Sequence, residues 1–307
     1  MKKLVCFLCI VFFVQCSSPK EHLSSLPDGV QTISLLGDTL NTSSSTLPLA
    51  LTNRIDSLIV VSKALNAETD ALIWEARRLG YNGEYREAVS LLTEGLEIHP
   101  DNPALYRHRG HRYISLREFD LAIQDLKKAS ELIKGTDDVI EQDGLPNALN
   151  KPTSTLHTNI WYHLGLAYYL TQQYDKAQEA YVECISASTN NDMLVASLYW
   201  YYMSLRRDGQ DELAGSIIDP VETEINIIEN DSYHKLLLVF KGEFNPDMIL
   251  DAETDALSDA TIGYGIGNWH YINGRTERAL EIWQDVYNDG NWASFGFIAS
   301  EAELAQD

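Results

Sequence analysis

Basic residues are scarce in this chain. Its 307 residues include 23 Lys and Arg against 45 Asp and Glu, a formal charge of −22. A chain this acidic lacks the positive surface that phosphate backbones require, which excludes general binding of DNA or RNA. Cysteine is scarce too, at four residues: Cys6, Cys9, Cys16 and Cys184. Signatures of catalysis are missing as well. There is no H-E-x-x-H, no tight Cys/His set, no G-x-S-x-G and no phosphate-binding P-loop. The Gly-rich 263-GYGIGNWH-270 falls inside a helical pattern and follows no predicted strand, so it is not a nucleotide loop. No cofactor is expected, and the chain is not expected to be an enzyme. Long apolar runs are lacking: Leu4 to Val14 spans 11 residues, short of the roughly 20 that cross a membrane.

What is present begins with a targeting segment. Lys2 and Lys3 precede the apolar run, which ends in 13-FVQC-16. This resembles a bacterial lipoprotein signal, residues 1–15, with Gln15 where a small residue is usual. The resemblance implies that Cys16 becomes the first residue and carries palmitate-type chains. Each buried methylene adds about 0.8 kcal/mol, so several chains anchor firmly. The implied location is the outer membrane, facing the periplasm or the surface. Cys6 and Cys9 leave with the signal, so Cys184 is the one thiol of the body, and its apolar neighbours mark it as a core residue. Loss of Lys2 and Lys3 takes the mature charge from −22 to −24. Residues 16–49 read as a polar tether and an N-terminal arm, in which 30-VQTISLLG-37 is a short strand or a packed arm.

From residue 50 to 307 the pattern is helical and it repeats. Aligning 83-GEYREAVSLLTEGLEIHP-100 with 117-REFDLAIQDLKKASELIK-134 at an offset of 34 residues brings Tyr85 onto Phe119, Ala88 onto Ala122 and Leu92 onto Leu126. The stretch 161-WYHLGLAYYLTQQYDKAQEAYVECI-185 repeats the pattern with Trp161, Leu164, Gly165, Tyr168, Tyr174, Ala177 and Tyr181. These residues and this period resemble the tetratricopeptide repeat family. The resemblance implies an all-α fold, antiparallel helix pairs stacked in a right-handed superhelix. The repeats are placed at roughly 69–102, 103–136, 158–191, 195–228 and 260–293, with 54-RIDSLIVVSKAL-65 as a front cap and 292-WASFGFIASEAELAQ-306 as a closing helix. Gly83 and Gly274 are placed to make left-handed turns between helices. Insertions near 137–157 and 229–259 break the period, and a loop as long as the first is often functional. RHRGHRY, STLHTNIWYHLG and GYGIGNWH also resemble a group of lipoprotein-like tetratricopeptide proteins, which implies fold and compartment only.

In this family the first helix of each pair lines a concave groove. Carried onto this register, the inward places hold Arg77, Tyr81, Arg107, His111, Asn159, Tyr162, Tyr169, Tyr199, Arg206, Arg207, Tyr264, Asn268 and Tyr271. They include four Arg and six Tyr and no acid. Such a surface suits an acidic protein or peptide partner, because Arg offers a planar fork to carboxylates and Tyr offers rigid area. Arg109 and Arg112 fall off that face and are expected to pair with acids of neighbouring helices. The sequence therefore points to a non-catalytic envelope lipoprotein that binds a protein partner in its groove. A glycan-binding accessory is the alternative. A metal-dependent hydrolase built from His111, His157, His163 and Asp143 is the remaining one.

Overall fold

The computed structural model describes residues 23–42, 47–250, 256–289 and 291–306. The leader and Cys16 lie outside the described residues. In chain order a hairpin of β1 (Val30–Ile33) and β2 (Thr39–Asn41) precedes α1 (Leu49–Ala64). Four helix pairs follow: α2 (Glu68–Tyr81) with α3 (Tyr85–Ile98), α4 (Pro103–Ser115) with α5 (Phe119–Leu132), α6 (Leu156–Leu170) with α7 (Tyr174–Ala187), and α8 (Asn191–Arg207) with α9 (Asp211–Ile218). After α10 (Asp231–Lys241) and the short α11 (Pro246–Leu250) comes a fifth pair, α12 (Ala256–Ile272) with α13 (Thr276–Asp289). The described chain ends in α14 (Phe295–Leu304).

Helix starts are set by short polar residues. Asn102 accepts from Ala104 and Leu105 ahead of Pro103, and Thr155 forms a reciprocal capping box with Thr158. Within a pair the helices touch through missing or small side chains. A Cβ on Gly165 would stand 2.7 Å from the Tyr181 ring, so only glycine admits that ring. Large residues such as Leu92, Leu126, Tyr181, Trp200 and Trp283 fill the spaces and are fully or almost fully buried. The turn inside each pair contains one left-handed residue. It is Gly83, Gly209 and Gly274 in three pairs, but Arg117 (φ 64°) and Gln172 (φ 58°) in the other two. Arg117 is held there by its buried contacts to Glu301 and the Trp292 carbonyl, whereas Gln172 is exposed at its turn.

The superhelix is closed on itself. Helix α14 packs on α12 and α13 and lies across the concave face, so that its first residue reaches α4 and α6. Phe295 lies 5.4 Å from the His111 ring and 5.6 Å from the His163 ring. Just before α14, Trp292 packs edge-on against Tyr85 at 5.2 Å. Two ion pairs fix the helix in place. Arg117 meets Glu301 at 2.5 Å with side chains 3% and 0% exposed, and Arg207 meets Glu303 at 2.7 Å. The β-hairpin ties the same ends together from outside. Thr32 Oγ1 donates to the Leu116 carbonyl at 2.7 Å, Ser34 bonds Tyr287 at 2.9 Å, and the Leu35 amide donates to Glu301 at 2.6 Å. The N-terminal arm is thus both strand and packed arm.

The Arg117–Glu301 pair generates a stability prediction. Truncation of Glu301 leaves a guanidinium buried without its anion, which costs about 3–5 kcal/mol. Glu301→Ala should lower the free energy of unfolding by that amount in a denaturant titration. A loss under about 1 kcal/mol would show that the closure does not hold the ends together.

Candidate ligand-binding site

A cavity of about 470 Å³ with mixed polar and apolar lining opens at the front of the concave face. Helices α2, α4 and α6 supply much of its lining, with the insertion between α5 and α6, residues of α8 and of the start of α10, and Ala293–Phe295 around them. Three guanidiniums reach it. Arg77 projects from α2 with its guanidinium 4.3 Å above the Trp74 ring. Its Nη1 donates to the Gln142 carbonyl at 2.7 Å, its Nη2 donates to Tyr81 Oη at 3.0 Å, and the Asp143 carboxylate stands 3.7 Å away. Arg107, on α4, sits with Nε 3.1 Å from Glu141 Oε2, an ion-pair distance without hydrogen-bond alignment. Arg112, five residues further along α4, lies over the Tyr85 ring at 5.3 Å. Among the described residues it has no carboxylate partner, in contrast to the acid pairing expected for it. Arg109 does have one, a two-pronged contact with Asp125 at 2.7 Å through both nitrogens.

Glu141 is the counterion brought in by the insertion. Besides Arg107 it accepts from Asn159 Nδ2 at 2.7 Å and lies 3.0 Å from His108 Nε2. Arg107 Nη1 can only donate, so His108 Nδ1, 3.0 Å away, accepts and Nε2 carries the proton given to Glu141. Burial alone would raise the Glu141 carboxyl. Arg107 and the His108 hydrogen bond outweigh burial and hold it well below the usual carboxylate range. Burial, reinforced by Arg107, pushes His108 down to about 3. His163 falls to about 3 for the same two reasons, and its Nδ1 donates to the Asn159 carbonyl at 2.5 Å. His111, 4.4 Å from His163 ring to ring, is also driven well down by burial and by Arg112. The histidines are therefore neutral at pH 7, and the fixed positive charge comes from arginine. Loss of water pushes even Arg112 down to about 10, a sign of how little compensates its charge.

The 13 inward places divide by position along the stack. Arg77, Tyr81, Arg107, His111, Asn159 and Tyr162 come together around this cavity. Tyr169, Tyr199, Tyr264 and Asn268 do not reach it and are buried in the core, where Tyr264 donates to Tyr169 at 2.8 Å. Arg207 is consumed by Glu303 and stacks on Tyr271 at 4.5 Å, leaving Tyr271 at the surface, 38% exposed. Arg206 bonds Asp211 and Tyr202 on an outer turn. An open groove along the whole stack is thus corrected. Helix α14 fills its rear half, and the acid expected from a ligand at Arg207 comes from Glu303 of the same chain.

The inward register left out His108, Arg112, His163 and Glu141. The first three sit on α4 and α6 beside predicted positions, and a one-place rotation of the register would have included Arg112 and His163. Glu141 has no periodic signal, being one acid in a long polar loop. Of the residues considered for a metal, His111 and His163 meet in the cavity, whereas His157 bonds Thr136. No group of three or more His, Cys, Asp or Glu among the described residues is arranged to hold a metal ion. Cys184 is buried, donates to the Thr158 carbonyl at 3.3 Å, and is pushed up to about 12 by burial.

The tetratricopeptide repeat family model matches residues 158–191, which contain most of α6 and all of α7. Similar solved structures include a tetratricopeptide repeat protein from Parabacteroides merdae, 16% identical, with 84% of this chain and 93% of that one covered and a TM-score of 0.49. Another is a putative kinesin light chain from Podosopora anserina with nearly identical TPR-like repeats, 15% identical, covering 71% of this chain and 92% of that one, TM-score 0.42. A third is Naa15/Naa10 bound to HypK-THB, 16% identical, 78% and 34% covered, TM-score 0.37. No curated protein matches the sequence. The all-α fold is of the tetratricopeptide type, an assignment carried by the stacked helix pairs and the matched repeat.

The buried histidines set a pH dependence. Their folded values lie below the ordinary 6.5, so below that pH the unfolded chain binds more protons and stability falls as pH falls. His108 and His163 should each contribute a slope of up to about 1.4 kcal/mol per pH unit between roughly pH 6 and 4.5. Chemical denaturation at several pH values, with His163→Gln as comparison, measures it. A variant slope equal to that of the unmodified chain would place the titration elsewhere.

Proposed function

We propose that this chain is a non-catalytic binding protein of the cell envelope, anchored through acylated Cys16, that takes an acidic segment of a protein partner. One observation carries the reading. In a chain of net −22, Arg77, Arg107 and Arg112 converge on a single cavity, and Arg112 has no carboxylate of the described chain to answer it. Stacked tetratricopeptide-type pairs ordinarily present their first helices to protein partners, and here those helices carry the arginines. The absence of catalysis is supported by the chemistry of the side chains at hand. The cavity histidines are held neutral far below their ordinary range, and the Cys184 thiol is buried and pushed up. A glycan reading needs free aromatic faces along the stack, yet the rings of Tyr169, Tyr199 and Tyr264 are packed in the core.

Arg112 offers a clean test because its removal orphans no internal acid. Arg112→Gln should keep the melting temperature within about 2 °C and lower capture of the partner from solubilised envelopes of the host about tenfold. Equal recovery with the folded variant would sink the arginine reading. The anchor is tested separately by Cys16→Ser. Metabolic labelling with palmitate should mark the unmodified chain and not the variant, and the variant should leave the membrane fraction. Label in both would place the acyl chain elsewhere.

A further inference from the structure

The insertion wall of the cavity behaves like a ligand that is covalently attached. Residues 139–141 run extended against 154–156. Ile140 pairs with Thr155, the Glu141 amide donates to the Ser154 carbonyl at 3.2 Å, and the Leu156 amide donates to the Val139 carbonyl at 2.9 Å. From that short ladder Glu141 enters the Arg107 site, and Gln142 and Asp143 supply a carbonyl and a carboxylate to Arg77. The turn then passes Tyr81 through Gly144, where a Cβ would come 2.6 Å from the Tyr81 hydroxyl.

Polar contacts, and little apolar burial, keep this segment in place. Val139, Ile140, Leu145 and Leu149 are 53%, 68%, 43% and 60% exposed. A loop of this length with four large apolar side chains in water is not held by a core. Its acids also leave the arginine set incomplete, since Arg112 receives none.

The geometry points to Glu141–Asp143 as a tethered stand-in for the partner, which is an acidic, extended peptide segment that displaces this turn and brings carboxylates to Arg107, Arg77 and Arg112. The inference rests on the acidic-partner reading above and adds to it the register, two acids separated by one residue, and a gate. Exchange is nearly balanced at Arg107 and Arg77, where one carboxylate replaces another. A further acid of the partner, meeting Arg112, makes the third contact and tips it. The tethered turn competes at an effective concentration in the millimolar range, so a free peptide binds weakly until the turn is released.

A disulfide lock tests this on an otherwise unchanged chain. Ile140 and Thr155 face each other as a non-hydrogen-bonded antiparallel pair, a geometry with Cα atoms about 4.5 Å apart, within disulfide reach. The variant Ile140→Cys with Thr155→Cys holds the turn closed when oxidised and frees it when reduced. The probe is a free peptide of residues 137–146, with an amide-substituted peptide (Gln and Asn for the acids) as control, read by calorimetry. The reduced form is expected to bind the acidic peptide at least tenfold more tightly than the oxidised form, and Glu141→Gln is expected to bind it more tightly than the unmodified chain. Equal binding by oxidised and reduced forms, and by Glu141→Gln, overturns the stand-in while the acidic-partner reading survives. No binding of the acidic peptide by any folded form overturns both. Binding of the amide peptide as strongly as the acidic one overturns the role of the carboxylates.

Discussion

Arginine–carboxylate pairing across the concave face is the interaction on which the rest of the structure depends. Arg107, Arg117 and Arg207 belong to α4, the turn after it, and α8. Their anions, Glu141, Glu301 and Glu303, come from the insertion and from the last helix. All three pairs are largely shut away from water. Removing two charges from water costs several kcal/mol each, so such pairs add little net stability over apolar packing and act by excluding alternatives. Here the alternative is an open superhelix with a row of uncompensated cations on its inner face. Each pair joins segments far apart in sequence, and that is how a stack with contacts mainly between neighbours acquires a closed shape.

Closure explains how the molecule can be strongly acidic and still carry a positive interior. Acids on the outer helix faces are solvated, whereas the inner arginines are rationed among internal carboxylates. Only at the front, between α2, α4 and α6, does the supply run short. Neutral histidines fill the space around the arginines without adding charge, and their low proton affinity comes first from burial and then from the same cations. The β-hairpin belongs to this scheme. It spans from the α4–α5 turn to α13 and α14 and gives a backbone amide to Glu301.

The helix pairs were legible because their constraints are local and periodic. The 34-residue offset, which aligns Ala88 with Ala122, and the signature places of Gly165 and Tyr181 are read from spacing alone, and six inward places of the front half do line the cavity. The turns were legible where glycine marks them and hidden at Arg117 and Gln172, where a residue with a side chain takes the left-handed backbone. The filling of the rear groove was not legible. In 300-SEAEL-304 the two glutamates look like ordinary solvent-facing acids on a terminal helix. Only the fold reveals that Glu301 lies 184 positions from its guanidinium in the chain and within 2.5 Å of it in space. Periodicity carries no information about such a pair, nor about a single glutamate delivered by an irregular loop.

Two internal segments therefore occupy the concave face, and they differ in what leaving would expose. Helix α14 is buried along nearly its whole length from Gly296 to Glu303, and Gly296 sits so close to the Ala260 backbone that no side chain fits between. Its departure would uncover Phe297, Ile298 and Ala299 together with two paired carboxylates, a loss of the order of global unfolding. The 139–149 segment keeps most of its apolar side chains in water already, so its departure exposes chiefly groups that another anion can satisfy. Local opening is confined to segments with few buried apolar contacts. Of the two occupants, α14 is part of the fold and the insertion is the one whose departure costs least, which is why the proposed binding is set at Arg77, Arg107 and Arg112 rather than in the rear of the stack.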